Sequence, residues 1–318
     1  MAVTGYRYDY RHTQSSESRH TRTIGRQNEW LYDVYGANVR YLMSGEAPTH
    51  QTPIVIPDDT TKIKANAYKD LPIFTMPESI PESVTEIGDY AFYNNWIPQG
   101  HHLVIPSTVK SIGESAFGTA YPNNATSSFD IGAEHLGKST FGYRNISHLT
   151  IRNTVKSCDD YPFNYAYISR GITIEHGLTY LPPLFNSTRC YADIIIPDSV
   201  TEIAPSTFKG FLPEGAGFMG TILIPGSVKV IKANTFYYSQ AGEYTKVVFE
   251  EGVESLEHGW ASQGCMFKEV HIPSTLSLTA ETFSEGILSV GTVYINRPKG
   301  YFDTSVWTTG IGEIIWTG

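Results

Sequence analysis

Four strings of one pattern recur along this chain: LVIPSTVKSIGESAF (103–117), IIIPDSVTEIAPSTF (194–208), ILIPGSVKVIKANTF (222–236) and VHIPSTLSLTAETF (270–283). Divergent copies lie between them: IVIPDDTTKIKANAY (54–68), LTIRNTVKSCDDYPF (149–163), ITIEHGLTYLPPLF (172–185) and VVFEEGVESLEHGW (247–260). A further copy, FTMPESIPESVTEIGDYAF (74–92), carries a short insertion. The residue at the proline position falls at 57, 77, 106, 132, 152, 175, 197, 225, 250, 273 and 296, so successive units are 20 to 29 residues apart. A fixed period of that size means that each unit is one turn of an elongated stack rather than a layer of a compact domain.

The unit has a physical reading. In Ile194-Ile195-Ile196 the first and third side chains share one face of a short strand and the middle one takes the other, because strand side chains alternate. Pro197 ends the ladder, since it has no N–H to donate and restricts its neighbour. Val200, Ile203 and Phe208 return to the interior from the second half of the unit. One coil cannot bury them alone, so coils must stack, and eleven coils at ~4.8 Å per strand make a curved rod on the order of 50 Å long. Only about ten residues separate the proline from the terminal phenylalanine, too few for a long amphipathic helix.

The spacing matches that of leucine-rich repeats, and apolar-x-Ile-Pro-x-x-Val-x-x-Ile-x-x-x-[Ala/Thr]-Phe resembles the BspA-like class of them, over residues 52 to 296. The resemblance implies a mostly-β solenoid: a right-handed coil with a parallel sheet on one face and short turns or 3₁₀ segments on the other. It also implies the protein-binding surface proteins of bacteria and protists, with no catalytic activity. The chain departs from that class in having no apolar export signal in MAVTGYRYDYRHTQSSESRH, and in lacking the cysteine often seen after the repeat phenylalanine.

GAEHLGKS (132–139) satisfies the phosphate-binding pattern G-x-x-x-x-G-K-[ST], which needs a strand before it and a helix after it. Here it aligns with the repeat. Leu136-Gly137-Lys138-Ser139-Thr140-Phe141 lies over Ile112-Gly113-Glu114-Ser115-Ala116-Phe117, so Lys138 is read as a turn residue and no nucleotide is expected. Asp58-Asp59, Asp159-Asp160 and His101-His102 are adjacent pairs that point apart. No G-x-S-x-G or H-E-x-x-H string occurs. The chain is therefore read as a non-enzyme with no cofactor and no metal.

Composition narrows the partners. The formal net charge is −9 with no long basic run, which argues against nucleic acid, and no stretch approaches the ~18 apolar residues of a membrane span. Cys158, Cys190 and Cys265 are far apart and odd in number, as expected of small apolar fillers. The partner is read as protein, with a host receptor or surface glycan also open, as is self-association.

Two sets of residues are candidates for contact. The middle strand positions should run along the outward face of the sheet, where Ile195, Leu223 and Val248 on consecutive coils, followed by His271 and Tyr294, form an apolar stripe. The inter-coil loops are rich in Tyr, Trp, Asn, Gly and Ser, a paratope-like composition, and single out Trp96, Tyr121, Tyr237, Tyr238 and Trp260.

Residues 1–51 fall outside the period and are read as an arm and cap, with 52–318 as the solenoid of about eleven coils including a C-terminal cap. The arm carries Arg7, Arg11, Arg19, Arg22 and Arg26 with Trp30 and several tyrosines, residues suited to docking on another subunit. With no export signal in view, the first expectation is a virion component, such as a phage tail or head fibre or decoration protein used in host attachment. The alternative is a cell-surface or intracellular adhesin or interaction protein of a bacterium or protist.

Overall fold

The computed structural model describes residues 22–24, 52–70, 74–120, 126–210, 220–237, 246–262, 264–283, 287–307 and 310–318. It is a parallel-strand β-solenoid, and every strand pair among the described residues is parallel. Strands of the front face precede each of the eleven repeat positions. In the N-terminal half they include His102–Ile105, Ser127–Ile131, Asn145–Ile151 and Tyr167–Ile174. In the C-terminal half Ile194–Ile195, Thr221–Ile224, Lys246–Phe249, Cys265–Ile272 and Ile287–Ile295 form one continuous ladder. That ladder ends in a strand the repeat pattern does not foresee, Gly310–Trp316, paired to Ile287–Ile295 through Tyr294 opposite Ile315. The front ladder is interrupted between Tyr167–Ile174 and Ile194–Ile195.

The return side consists largely of turns, with a single 3₁₀ segment among the described residues at Thr304–Val306. It also carries short strands. A flank ladder joins Arg22–Ile24, Thr60–Ile63, Glu86–Ile87, Ser111–Ile112, His135–Leu136 and Ser157–Cys158. A rear ladder joins Phe208–Lys209, Phe236–Tyr237 and Ala261–Ser262. Such two-residue pieces are too short to form strands on their own. They are set by the backbone of the coil beneath.

The core is an aromatic spine. From Tyr68 to Phe163 the terminal aromatic of one coil lies on that of the next: Tyr68 to Phe92 at 5.1 Å between ring centres, Phe92 to Phe117 at 5.1 Å, Phe117 to Phe141 at 5.4 Å and Phe141 to Phe163 at 5.2 Å. Phe185, Phe208 and Phe236 form a second run, at 6.1 and 5.0 Å. Each such pair contributes about 0.5–1.5 kcal/mol beyond the area it buries. The residue before the aromatic is small because it too is buried, and where it is Thr its hydroxyl donates back along the turn, Thr140 to Gly137 O at 2.6 Å and Thr207 to Ala204 O at 2.7 Å. The residue before that adopts a left-handed φ, as at Asn66, Tyr90, Ser115, Ser139, Ser206 and Asn234. This turns its N–H toward the next coil, Tyr90 to Glu114 O and Ser115 to Lys138 O.

Hydroxyls tie the coils together elsewhere. The Ser or Thr two residues after the proline position donates to the preceding coil: Thr108 to Val84 O, Thr154 to Gly132 O, Ser199 to Leu178 O, Ser227 to Val200 O and Thr275 to Val253 O. The proline's own carbonyl accepts the N–H three residues on, as Val109 to Pro106 O and Val200 to Pro197 O. Proline therefore both ends the front strand and closes the turn that starts the return.

Candidate protein-binding face

The pairing register decides what the front face presents. Ile194, Ile222, Val247, Val270 and Val293 are directly opposite one another and buried. Their neighbours Ile195, Leu223, Val248, His271, Tyr294 and Ile315 are therefore also directly opposite, and they turn to the other side of the sheet. The five front-face residues singled out from the sequence thus form one unbroken row, about 19 Å long at ~4.8 Å per strand, which Ile315 extends to about 24 Å. Ile195 heads it, 60% exposed, while Leu223 and Val248 are half-buried against their cross-strand neighbours.

The far end of the row is aromatic and bordered by charge. The His271 ring stacks on Tyr294 with centres 4.3 Å apart, and its Nε2 lies 3.1 Å from Glu269 Oε2. Lys246 Nζ approaches the same carboxylate at 3.2 Å. The hydrogen bond from His271, with the one from Lys246, holds the Glu269 carboxyl below its ordinary range. Glu250 and Glu313 stand exposed beside the row. The N-terminal half of the front face differs. Its middle positions are Val104, Asp130, Thr150 and Thr173, and Asp130 is tied down by two 2.7 Å bonds from Arg152. Val55, 54% exposed, and Val104 stand apart from each other there, so the continuous apolar row is confined to the C-terminal ladder.

Among the loop aromatics, Trp96 is bridged to Thr75 and 39% exposed. Tyr237 lies on the rear ladder, half-buried, with Lys209 Nζ 4.7 Å above its ring, so it is not part of the front row. Trp260 is a correction. It is 1% exposed and its indole N–H donates to Thr282 O at 2.8 Å, because it occupies the spine position that phenylalanine fills in other coils, against Phe236 and Phe267. It has no surface to offer a partner. Tyr121 and Tyr238 lie outside the described residues, as do Arg7, Arg11, Arg19, Arg26 and Trp30. Arg22 is described in its backbone alone, at the edge of the flank ladder opposite Thr60.

Three residues of this face escaped the sequence reading. Ile315 lies beyond the last consensus unit, although the alternation in GIGEIIW marks a strand. Lys246 and Glu269 sit opposite each other in the next row of the same strands, a pairing visible only once the register is known.

The phosphate-binding string takes its place in the solenoid as a coil. Ile131 ends a front strand, His135–Leu136 belongs to the flank ladder, and turns follow to Phe141, so the string has no helix N-terminus behind it. Its glycines answer to stacking. A Cβ on Gly137 would lie 2.7 Å from the Gly113 carbonyl carbon, and one on Gly113 would lie 2.5 Å from Asp89 N. Lys138 stands in an open groove of about 810 Å³ along the flank ladder, shared with Asp89, Glu114, Asp159 and Asp160.

A helix-poor parallel solenoid with an apolar row on its sheet defines a leucine-rich-repeat scaffold. The model of the family described as BspA type leucine rich repeat region matches residues 48–169, 99–213 and 172–288. The chain belongs to the BspA-type leucine-rich repeat family. It is similar in structure to a leucine rich cell surface protein from Faecalibacterium prausnitzii A2-165, with 18% identity over 85% of this chain and 88% of that one and a TM-score of 0.38. It is likewise similar to the pneumococcal vaccine antigen PcpA, with 16% identity over 86% and 91% of the two chains and a TM-score of 0.35. A leucine-rich repeat protein from Bacteroides ovatus ATCC 8483 gives 17% identity over 83% and 84%, at a TM-score of 0.32. No curated protein matches the chain.

Proposed function

We propose that this protein is a non-enzymatic scaffold that binds another protein through the C-terminal half of its front sheet. The observation that carries this is the in-register row from Ile195 to Ile315: six outward positions on adjacent strands, apolar or aromatic throughout, beside a polar half of the same face. Apolar side chains on a rigid sheet lose little further freedom when a partner covers them, which lowers the cost of binding. Of the two settings read from the sequence, membership of a BspA-type family favours an adhesin or interaction protein at a cell surface over a virion component. Residues 1–51, with their arginines and tyrosines, are proposed as a separate docking segment.

The test is site-specific photo-crosslinking. A benzophenone amino acid at position 195 or 223 of the full chain, irradiated on intact cells that carry it, is expected to trap one dominant protein. The same probe at position 150, on the polar half, should not. Equal trapping at all three positions would sink the proposal.

A further inference from the structure

We propose that the pocket at the aromatic end of the row is a guanidinium subsite, filled by an arginine side chain of the protein partner. This rests on the front-face reading and supplies the chemistry that the partner must bring. The pocket holds about 290 Å³, less than a typical small-molecule site and suited to a single side chain. It is lined by buried Phe249, Ile272 and Pro273, by the His271 and Tyr294 rings, which stack on each other, and by Glu251 beside Asn296.

Glu251 is held in place by neutral donors. Its carboxylate accepts Ser274 N at 2.7 Å and Ser274 Oγ at 2.8 Å, Thr275 N at 3.2 Å, and Asn296 Nδ2 at 2.7 Å. The backbone bond from Ser274 leads in keeping it below the usual carboxylate range, so it is charged at neutral pH. No ion pair reaches it among the described residues, unlike Glu269, Glu134 and Glu202. The carboxylate is thus a fixed negative charge bordering a pocket that contains no Lys or Arg. Arginine suits this lining: methylenes on the apolar residues, the planar cation against the paired rings, and its positive charge beside the fixed charge of Glu251, whose acceptor positions its own four bonds already occupy. Glu250 and Glu313, exposed nearby, attract the same charge at longer range. A metal ion is a poorer fit, because the described residues contain no group of three or more His, Cys, Asp or Glu that could hold one.

The experiment is an NMR titration of the ¹⁵N-labelled full chain with acetyl-Val-Arg-Tyr-Val-amide and with the same peptide carrying Gln for Arg. The arginine peptide should give saturable shifts at the amides of 249–251, 271–273 and 294–296, and the glutamine peptide should bind about tenfold more weakly, as loss of a charge-assisted contact requires. Glu251→Gln should abolish the difference. Because Glu251 also fastens two coils, Tyr294→Leu is the second variant; since Tyr294 belongs to the binding row it should weaken both peptides, and the arginine peptide about threefold more than the glutamine one. Equal binding of both peptides at the front face overturns the arginine subsite while leaving the protein-binding face intact. Shifts confined to the acidic flank groove, or none at all, also overturn it, and crosslinking at position 223 then judges the face independently.

Discussion

Replacing Arg144 by methionine should loosen three coils at once. The guanidinium is 4% exposed, and it donates from Nε to Phe117 O at 2.6 Å, from Nη1 to Asn95 O at 3.2 Å and from Nη2 to Gly118 O at 3.0 Å. It has no carboxylate partner among the described residues, and burial pushes its pKa down to about 9, so at neutral pH it is a cation held by backbone carbonyls. Hydrogen bonds to a charged group contribute about 1.5–3 kcal/mol each, or on the order of 5–9 kcal/mol for three. Against this stands the desolvation of the buried ion, several kcal/mol, which methionine removes. Gly118 O also retains the Asn94 N–H. The balance is a loss of about 2–4 kcal/mol in Arg144→Met, with Arg144→Lys in between because an ammonium cannot span the three acceptors. In a solenoid the loss stays local. Native-state hydrogen exchange should quicken roughly 30- to 1,000-fold for amides of residues 92–118 and 141–144, and should not change in Lys246–Phe249 or Cys265–Ile272. If Arg144→Met exchanges as slowly as the wild type, the cost of burying the charge exceeds what its bonds return, and the reasoning is wrong.

Three further outcomes are expected. Gly113→Ala would bring a Cβ to 2.5 Å from Asp89 N and should cost about 1–3 kcal/mol of stability, read as a lowered Tm; Gly118→Ala, whose Cβ would meet nothing nearer than 3.4 Å, should be near neutral. Hydrogen bonds from Lys110 and then Lys156 hold Glu134 at about 2, against an ordinary 4.5. A folded pKa below the unfolded one means that its contribution is complete above about 4.5 and is lost as pH falls toward 2, so the Tm gap between wild type and Glu134→Gln should close over that window. Burial pushes the Cys158 and Cys190 thiols up to about 12, so iodoacetamide at pH 8 should alkylate them in the denatured chain and leave them unmodified in the native one.

The strand ladder, the spine and the outward row were legible because each is written in every coil: apolar-x-apolar for the strand, proline for its end, phenylalanine for the spine. Given that period, alternation alone places Ile195, Leu223 and Val248 on one side. What escaped was written between coils. The hydroxyls of Thr108, Ser199 and Ser227 are periodic in the sequence, but their acceptors lie one coil away, so only the stack gives them a role. Arg144 occurs once, in a divergent coil, and nothing local says that it turns inward. Trp260 shows the opposite failure. Its register marked it as a spine residue, while the composition of EHGWASQG suggested a contact loop, and the register was right because packing fixes it. The two-residue return strands are too short to be read as strands from their own residues, even where they hold the spine Phe208 or Phe236, and Gly310–Trp316 lies beyond the last proline-marked unit; each pairs because a neighbouring backbone offers it a ladder.

The C-terminal half of the front sheet is the proposed seat of the partner. Hydrogen exchange of the full chain, with and without the protein trapped at position 223, measures this directly. Protection should appear in Thr221–Ile224, Lys246–Phe249, Cys265–Ile272 and Ile287–Ile295, and not in the flank ladder. Protection centred instead on Glu86–Ile87, Ser111–Ile112 and His135–Leu136, around the acidic groove, would contradict it.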